Sequence, residues 1–166
     1  FVRGVSMIDA YESVYLLSVS NVNFWIFVLA AIVLYVYTSW ALMTIAKKSN
    51  IQGAWLAWVP IANIVLLADI AQMHWWPILL ILTVLIPPYI SILGLMVLTV
   101  FVLIWQWKMY EKIGRPGWWA VAGILISIVG MLIALMPSLE VLGSIVFIAG
   151  QIFGLALFGI AAWSEA

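Results

Sequence analysis

Four uncharged stretches, residues 24–46, 75–107, 117–139 and 141–164, take up most of this chain. Each exceeds the ~18 apolar residues that mark a membrane-spanning segment, because about 20 residues at ~1.5 Å rise cover a ~30 Å hydrocarbon layer. The pattern predicts an all-α fold, a polytopic transmembrane helical bundle. The chain is 68% hydrophobic and 7% charged, where a soluble domain has about 45–50% and about 25%. A water-soluble fold could not cover that much apolar surface.

What is missing narrows the function. Net charge is zero, so no basic field exists to hold nucleic acid. With no cysteine, disulfides, thiolate metal sites, iron–sulfur clusters and thiol nucleophiles are excluded. The one histidine, His74, cannot build a two-histidine haem or a multi-histidine metal cluster. No histidine–acid pair, Ser/Lys or Asp/Asp arrangement occurs at helical spacing, so no enzyme is expected. The length fits one membrane domain, residues 23–166. Residues 1–22 precede it, where Met7, Tyr11, Val14 and Tyr15 fall at roughly helical spacing and predict a short amphipathic helix at the membrane surface. The chain opens on Phe1, and residues 1–23 lack the apolar core of a signal peptide; whether the N-terminus is processed stays open.

Five spans are expected, at about 23–46, 51–71, 75–107, 117–136 and 141–163. The second holds Pro60, which breaks a helix, and the polar Asn63, so it is a kinked span or a re-entrant segment. The third would be about 50 Å as one helix. Pro87 and Pro88 divide it, giving either a bent span or a short piece, 77–86, before a span from Tyr89. A turn at 137–140 makes the last two helices antiparallel neighbours. Lys47 and Lys48 follow the first span, and Lys108, Lys112 and Arg115 follow the third. The positive-inside rule puts both basic loops in the cytoplasm, with the N-terminus outside and the C-terminus inside. A re-entrant second segment would leave four spans and one basic loop on the wrong side. A shift of 64 residues lays Lys48 on Lys112, Gly53 on Gly117 and Trp55 on Trp119, a weak internal repeat with both copies running the same way.

Candidate site residues are few. Asn63 and Asp69 form a candidate polar intramembrane site, since an acid at membrane depth is costly and marks function by default; the plainer reading puts Asp69 at the outer end of its span. His74 is expected at the outer interface and is the one candidate ligand for a single pigment or haem. The eleven tryptophans read as a headgroup belt or, more sharply, as a stacking platform for a lipid, quinone or pigment. No cofactor is predicted beyond bound lipid. Gly143, Gly150, Gly154 and Ala161 fall within about 40° of one direction on the last helix, a strip that lets another backbone approach closely. That strip could dock another subunit or pack against the fourth span.

The segment Gly53-Ala54-Trp55, then Pro60 and Asn63, then Ile70-Ala71 and Trp75-Trp76, resembles a family of small, uncharacterised prokaryotic multi-pass membrane proteins with a Gly-Trp, Ile-Pro-x-x-Asn, Trp-Trp signature. Gly114-Arg115-Pro116-Gly117 resembles the loop before that family's last hydrophobic region. The likeness covers residues 40–136. It departs at Ala54, and at Asp69, where a basic residue is common. It implies a fold and a prokaryotic cytoplasmic membrane, and no activity. The expected function is a non-catalytic accessory subunit packed against a larger membrane complex, with lipids and other membrane subunits as partners. The alternative is a small transporter or channel using the interrupted helices around Pro60, Asn63 and Asp69.

Overall fold

The computed structural model describes residues 7–164, and for residues 7–22 the backbone alone. The described residues are helical, with no strand. In chain order they form α1 (Met7–Lys48), a short 3-10 helix (Ala54–Trp58), α2 (Ala62–Ile70), a long 3-10 helix (Trp76–Leu85), α3 (Pro88–Lys112), α4 (Trp119–Ala134) and α5 (Glu140–Trp163). Among the described residues, three helices are long and apolar enough to cross a membrane: Asn23–Lys48 within α1, α3 and α5.

Contacts divide the chain into two units, with the junction inside α1 between Tyr37 and Thr38. In the first unit the backbone runs on as helix through Asn23, so residues 7–22 are not a separate helix. Their expected place on the membrane surface lies outside the described side chains. Further along, Phe24, Trp25, Phe27 and Val33 are exposed. Apolar side chains surround this stretch instead of forming one stripe, as on a helix whose solvent is hydrocarbon.

In the second unit the 64-residue correspondence recurs at the helix ends. α1 and α3 end in the same cap, 64 residues apart. Asn50 N–H donates to Lys47 O (3.1 Å) and Ile51 N–H to Ala46 O (3.0 Å); Gly114 N–H donates to Glu111 O (3.1 Å) and Arg115 N–H to Tyr110 O (2.8 Å). The pivot residue is left-handed in both copies, Asn50 at φ 53° and Gly114 at φ 74°. This is the usual way for a helix to satisfy its last carbonyls, and Asn and Gly are the residues that tolerate it. The next turn also repeats: Leu56 N–H donates to Gly53 O (2.9 Å) and Ala120 N–H to Gly117 O (3.0 Å).

The copies then diverge. Pro60 stops the first one. Ala62 N–H donates to Pro60 O (2.8 Å) across Ile61, which is held at φ 69°, ψ −46°, a strained γ-turn for a β-branched residue. Ile124 and Leu125, the matching residues of the second copy, continue α4. With nine residues, α2 is about 13.5 Å long, less than half the hydrocarbon thickness. It packs against α3 and the short 3-10 helix. Leu66, Leu67 and Ile70 share a buried cluster with Ile45, Ala46, Met109 and Tyr110 from the last turns of α1 and α3. Residues 51–71 are thus not one spanning helix, because Pro60 and the γ-turn divide them into two pieces.

Residues 75–107 are likewise not one bent span. Pro87 and Pro88 turn the chain back, and the long 3-10 helix lies antiparallel along the first half of α3. A Cβ on Gly94 would overlap the Thr83 side chain. The Ser91 hydroxyl lies within hydrogen-bonding reach of two carbonyls at the turn, Thr83 O (2.6 Å) and Ile86 O (3.1 Å). The Trp76 ring meets the Phe101 ring edge-on at 5.8 Å. At ~2.0 Å per residue the 3-10 helix is about 20 Å long.

α4 and α5 are antiparallel and meet backbone to backbone. A Cβ on Gly123 would sit 2.7 Å from Gly150 O and 2.8 Å from Gly154 Cα. One on Gly130 would overlap the backbone nitrogen of Phe147, and one on Gly143 the backbone nitrogen of Ala134. Ser127 and Gln151 add a polar link, with the Gln151 amide donating to the Ser127 hydroxyl (3.0 Å) and that hydroxyl donating to Gly123 O (2.9 Å).

The two basic turns meet at the end of α5. Lys48 Nζ donates to Ser164 O (2.6 Å) and Ala161 O (3.3 Å). Arg115 donates to the Ser164 hydroxyl, and its guanidinium lies 5.7 Å from the Trp119 ring centroid. Cations at a helix C-terminus complement its dipole and its unpaired carbonyls. The C-terminal ends of α1, α3 and α5 therefore share one end of the unit.

Candidate functional site

A cavity of about 390 Å³ lies inside the second unit, bordered by all five of its α-helical elements. α1 contributes Thr38, Ser39 and Leu42, and α2 contributes Asn63, Ile64 and Leu67. Both sets have spacing i, i+1, i+4, one helix face. α3 contributes Val102, Gln106 and Tyr110 at i, i+4, i+8. Thr38 and Val102, and again Leu42 and Gln106, are matching positions of the two repeats, so the cavity lies where the copies face each other. α4 and α5 close it with Trp119, Gly123, Gln151, Gly154 and Phe158. The glycines let α4 and α5 meet so closely that their larger side chains turn to either side of the seam.

The lining is mostly apolar, and its polar groups among the described residues are uncharged. It holds three carboxamides, Asn63, Gln106 and Gln151, and the hydroxyls of Thr38, Ser39 and Tyr110, and no Asp, Glu, Lys, Arg or His. The Gln151 amide is engaged with Ser127. Asn63 and Gln106 make no side-chain hydrogen bond among the described residues. Ser39 is 2% exposed, and its hydroxyl oxygen is sealed without a partner. Unpaired polar groups are costly in a low-dielectric interior, each by about 1–3 kcal/mol. The Tyr110 ring packs edge-on against Trp119 (6.0 Å), and the Arg115 guanidinium, outside the lining, lies over the Trp119 ring.

The residues singled out in the sequence are scattered. Asn63 borders the cavity. Asp69 and Pro60 do not; Asp69 is exposed. His74 is exposed in the connector before the long 3-10 helix, and no group of three or more His, Cys, Asp or Glu comes together among the described residues. Gly143 and Gly150 face α4 of the same chain, and Ala161 is 2% exposed within the core. α4 of the same chain thus covers the glycines of the strip. Gln106 was passed over in the sequence, although a polar residue in an uncharged span was the available signal. The 64-residue shift also lays Asn63 on Ser127, two polar residues inside largely apolar helices.

No protein-family model matches the chain, and no curated protein or solved structure matches it significantly.

Proposed function

We propose that this protein is a membrane-embedded carrier that takes a small molecule into the cavity between its two repeats. The observation behind this reading is the meeting of three carboxamides, from α2, α3 and α5, around one cavity in a chain with 7% charged residues. Polar side chains inside a bilayer are retained mostly where they line a pathway or a site. Carriers built from repeats place their sites at the repeat interface, beside interrupted helices; α2 is such a helix. An accessory subunit is the second reading, favoured by the exposed apolar side chains of residues 24–36. The glycine strip no longer argues for it, since α4 covers its glycines.

The same geometry supports a topology of five crossings: α1, residues 51–86 together, α3, α4 and α5. Within the second crossing, α2 occupies the basic half, beside the last turns of α1 and α3, and the long 3-10 helix the other half, along the start of α3. Both basic loops then fall on one side, because residues 51–86 and α3 supply the two crossings needed. With the basic end in the cytoplasm of a prokaryotic cell, the N-terminus is outside.

Organic extraction of the protein purified in mild detergent, followed by mass spectrometry, tests the carrier reading. A small molecule near one per chain is expected with the wild type and not with the monodisperse Asn63→Leu/Gln106→Leu double variant. Identical extracts from both would overturn it.

A further inference from the structure

We infer that the cavity selects an uncharged single-chain amphiphile with a hydroxyl or amide head, of the monoacylglycerol or fatty-amide class, over carboxylates and ammonium ions of the same chain length. This rests on the carrier reading and names the chemistry of its ligand.

The head is specified by Asn63 and Gln106. Each carboxamide both donates and accepts, and neither is bonded to the protein among the described residues. They come from elements of opposite repeats, so a group between them meets donors and acceptors from two sides. A hydroxyl or an amide answers both; an ammonium has nothing to accept with, and a carboxylate nothing to donate. Charge is excluded a second way. No ionic side chain among the described residues borders the cavity, and an ion without a counter-charge in a low-dielectric site loses several kcal/mol of hydration. The start of α2 is not an anion site either, because its first N–H groups are already used: Ala62 N–H donates to Pro60 O, Asn63 N–H to Val59 O (3.0 Å) and Ile64 N–H to Ile61 O (3.0 Å). Lys48, the cation at the end of α1, is turned away onto the end of α5.

The body of the ligand is specified by the remaining wall. Leu42, Ile64, Val102, Leu155 and Phe158 are apolar and border the same space. A volume of about 390 Å³ is at the small end of the ~300–1,000 Å³ range of small-molecule sites, which suits one short acyl chain and not two.

The full chain in lipid nanodiscs, titrated with 1-decanoylglycerol, decanamide, decanoate and decyltrimethylammonium, tests this, with thermal stabilisation as the readout and empty nanodiscs as the partitioning control. The first two are expected to stabilise the protein at concentrations at least about tenfold below the charged pair. Asn63→Leu and Gln106→Leu should each weaken the neutral ligands by about tenfold, the scale of one lost hydrogen bond, while Asn63→Gln should retain most of the affinity. Equal or tighter binding of either ion would overturn the assignment. If no probe binds but a molecule still co-purifies with the wild type and not with the double variant, the head assignment fails and the carrier reading stands. If no probe binds and the extract is bare, both fall.

Discussion

The two repeats close their long helices with the same hydrogen bonds and then part at one position. In the first copy Pro60 is followed by Ile61 in a strained γ-turn and by a nine-residue α2; in the second, Ile124 and Leu125 lie inside the sixteen-residue α4. The neighbours explain why each outcome is stable. α4 carries Gly123 and Gly130, which let it lie on α5 backbone to backbone. The matching residues of the first copy, Val59 and Leu66, have side chains, and Leu66 is fully buried in the core instead. The same capping chemistry thus serves a tight seam in one copy and a short lid over polar space in the other. A proline and two glycines separate the fates.

Exchanging residues between the copies breaks or sharpens this contrast. The largest effect is expected from Gly130→Leu, which gives α4 the side chain found at Leu66. Its Cβ would overlap the Phe147 nitrogen and lie 2.8 Å from Gly143 O, and backbone cannot yield as a flexible side chain does. A loss of about 3 kcal/mol or more is expected, read as the midpoint of unfolding in mixed SDS micelles; an unchanged midpoint would mean that the seam is looser than described. Next comes a pair of opposite sign. Ile61→Gly relieves a positive φ and should stabilise the protein by about 1 kcal/mol, whereas Leu125→Gly, at the matching place inside a helix, should destabilise it by about 1 kcal/mol. Like signs in the same unfolding assay would deny that the copies differ in backbone at this point. The smallest effect is Asn50→Gly, which copies Gly114 and should gain about 0.5 kcal/mol; a loss would show that Asn50 does more than tolerate its φ of 53°.

Much of this contrast was visible in the sequence, though not its geometry. Lys48, Gly53 and Trp55 pointed to the repeat because they recur 64 residues on as Lys112, Gly117 and Trp119; the left-handed pivots, Asn50 and Gly114, differ in residue type and gave no such signal. Pro60 and the Pro87-Pro88 pair marked real breaks, since proline acts locally. What followed each break was not legible. Whether a chain turns back or merely bends depends on the partner it meets, and the contact of Thr83 with Gly94 joins residues that no periodicity relates. The same limit hid the cavity: Asn63 stood out as a polar residue beside a proline, but nothing in its spacing pointed to Gln106 or Gln151 on other helices. Asp69 attracted attention by its charge alone, and packing leaves it exposed.

The grip of Lys48 and Arg115 on Ser164 also bears on how the molecule is made. Ser164 leaves the ribosome after every other helix described here, when both cationic turns have already been threaded into place. Until then the two turns are joined through the buried cluster that α2 forms with the last turns of α1 and α3. A nascent chain halted just before α5 would hold that apolar contact and lack the polar clasp.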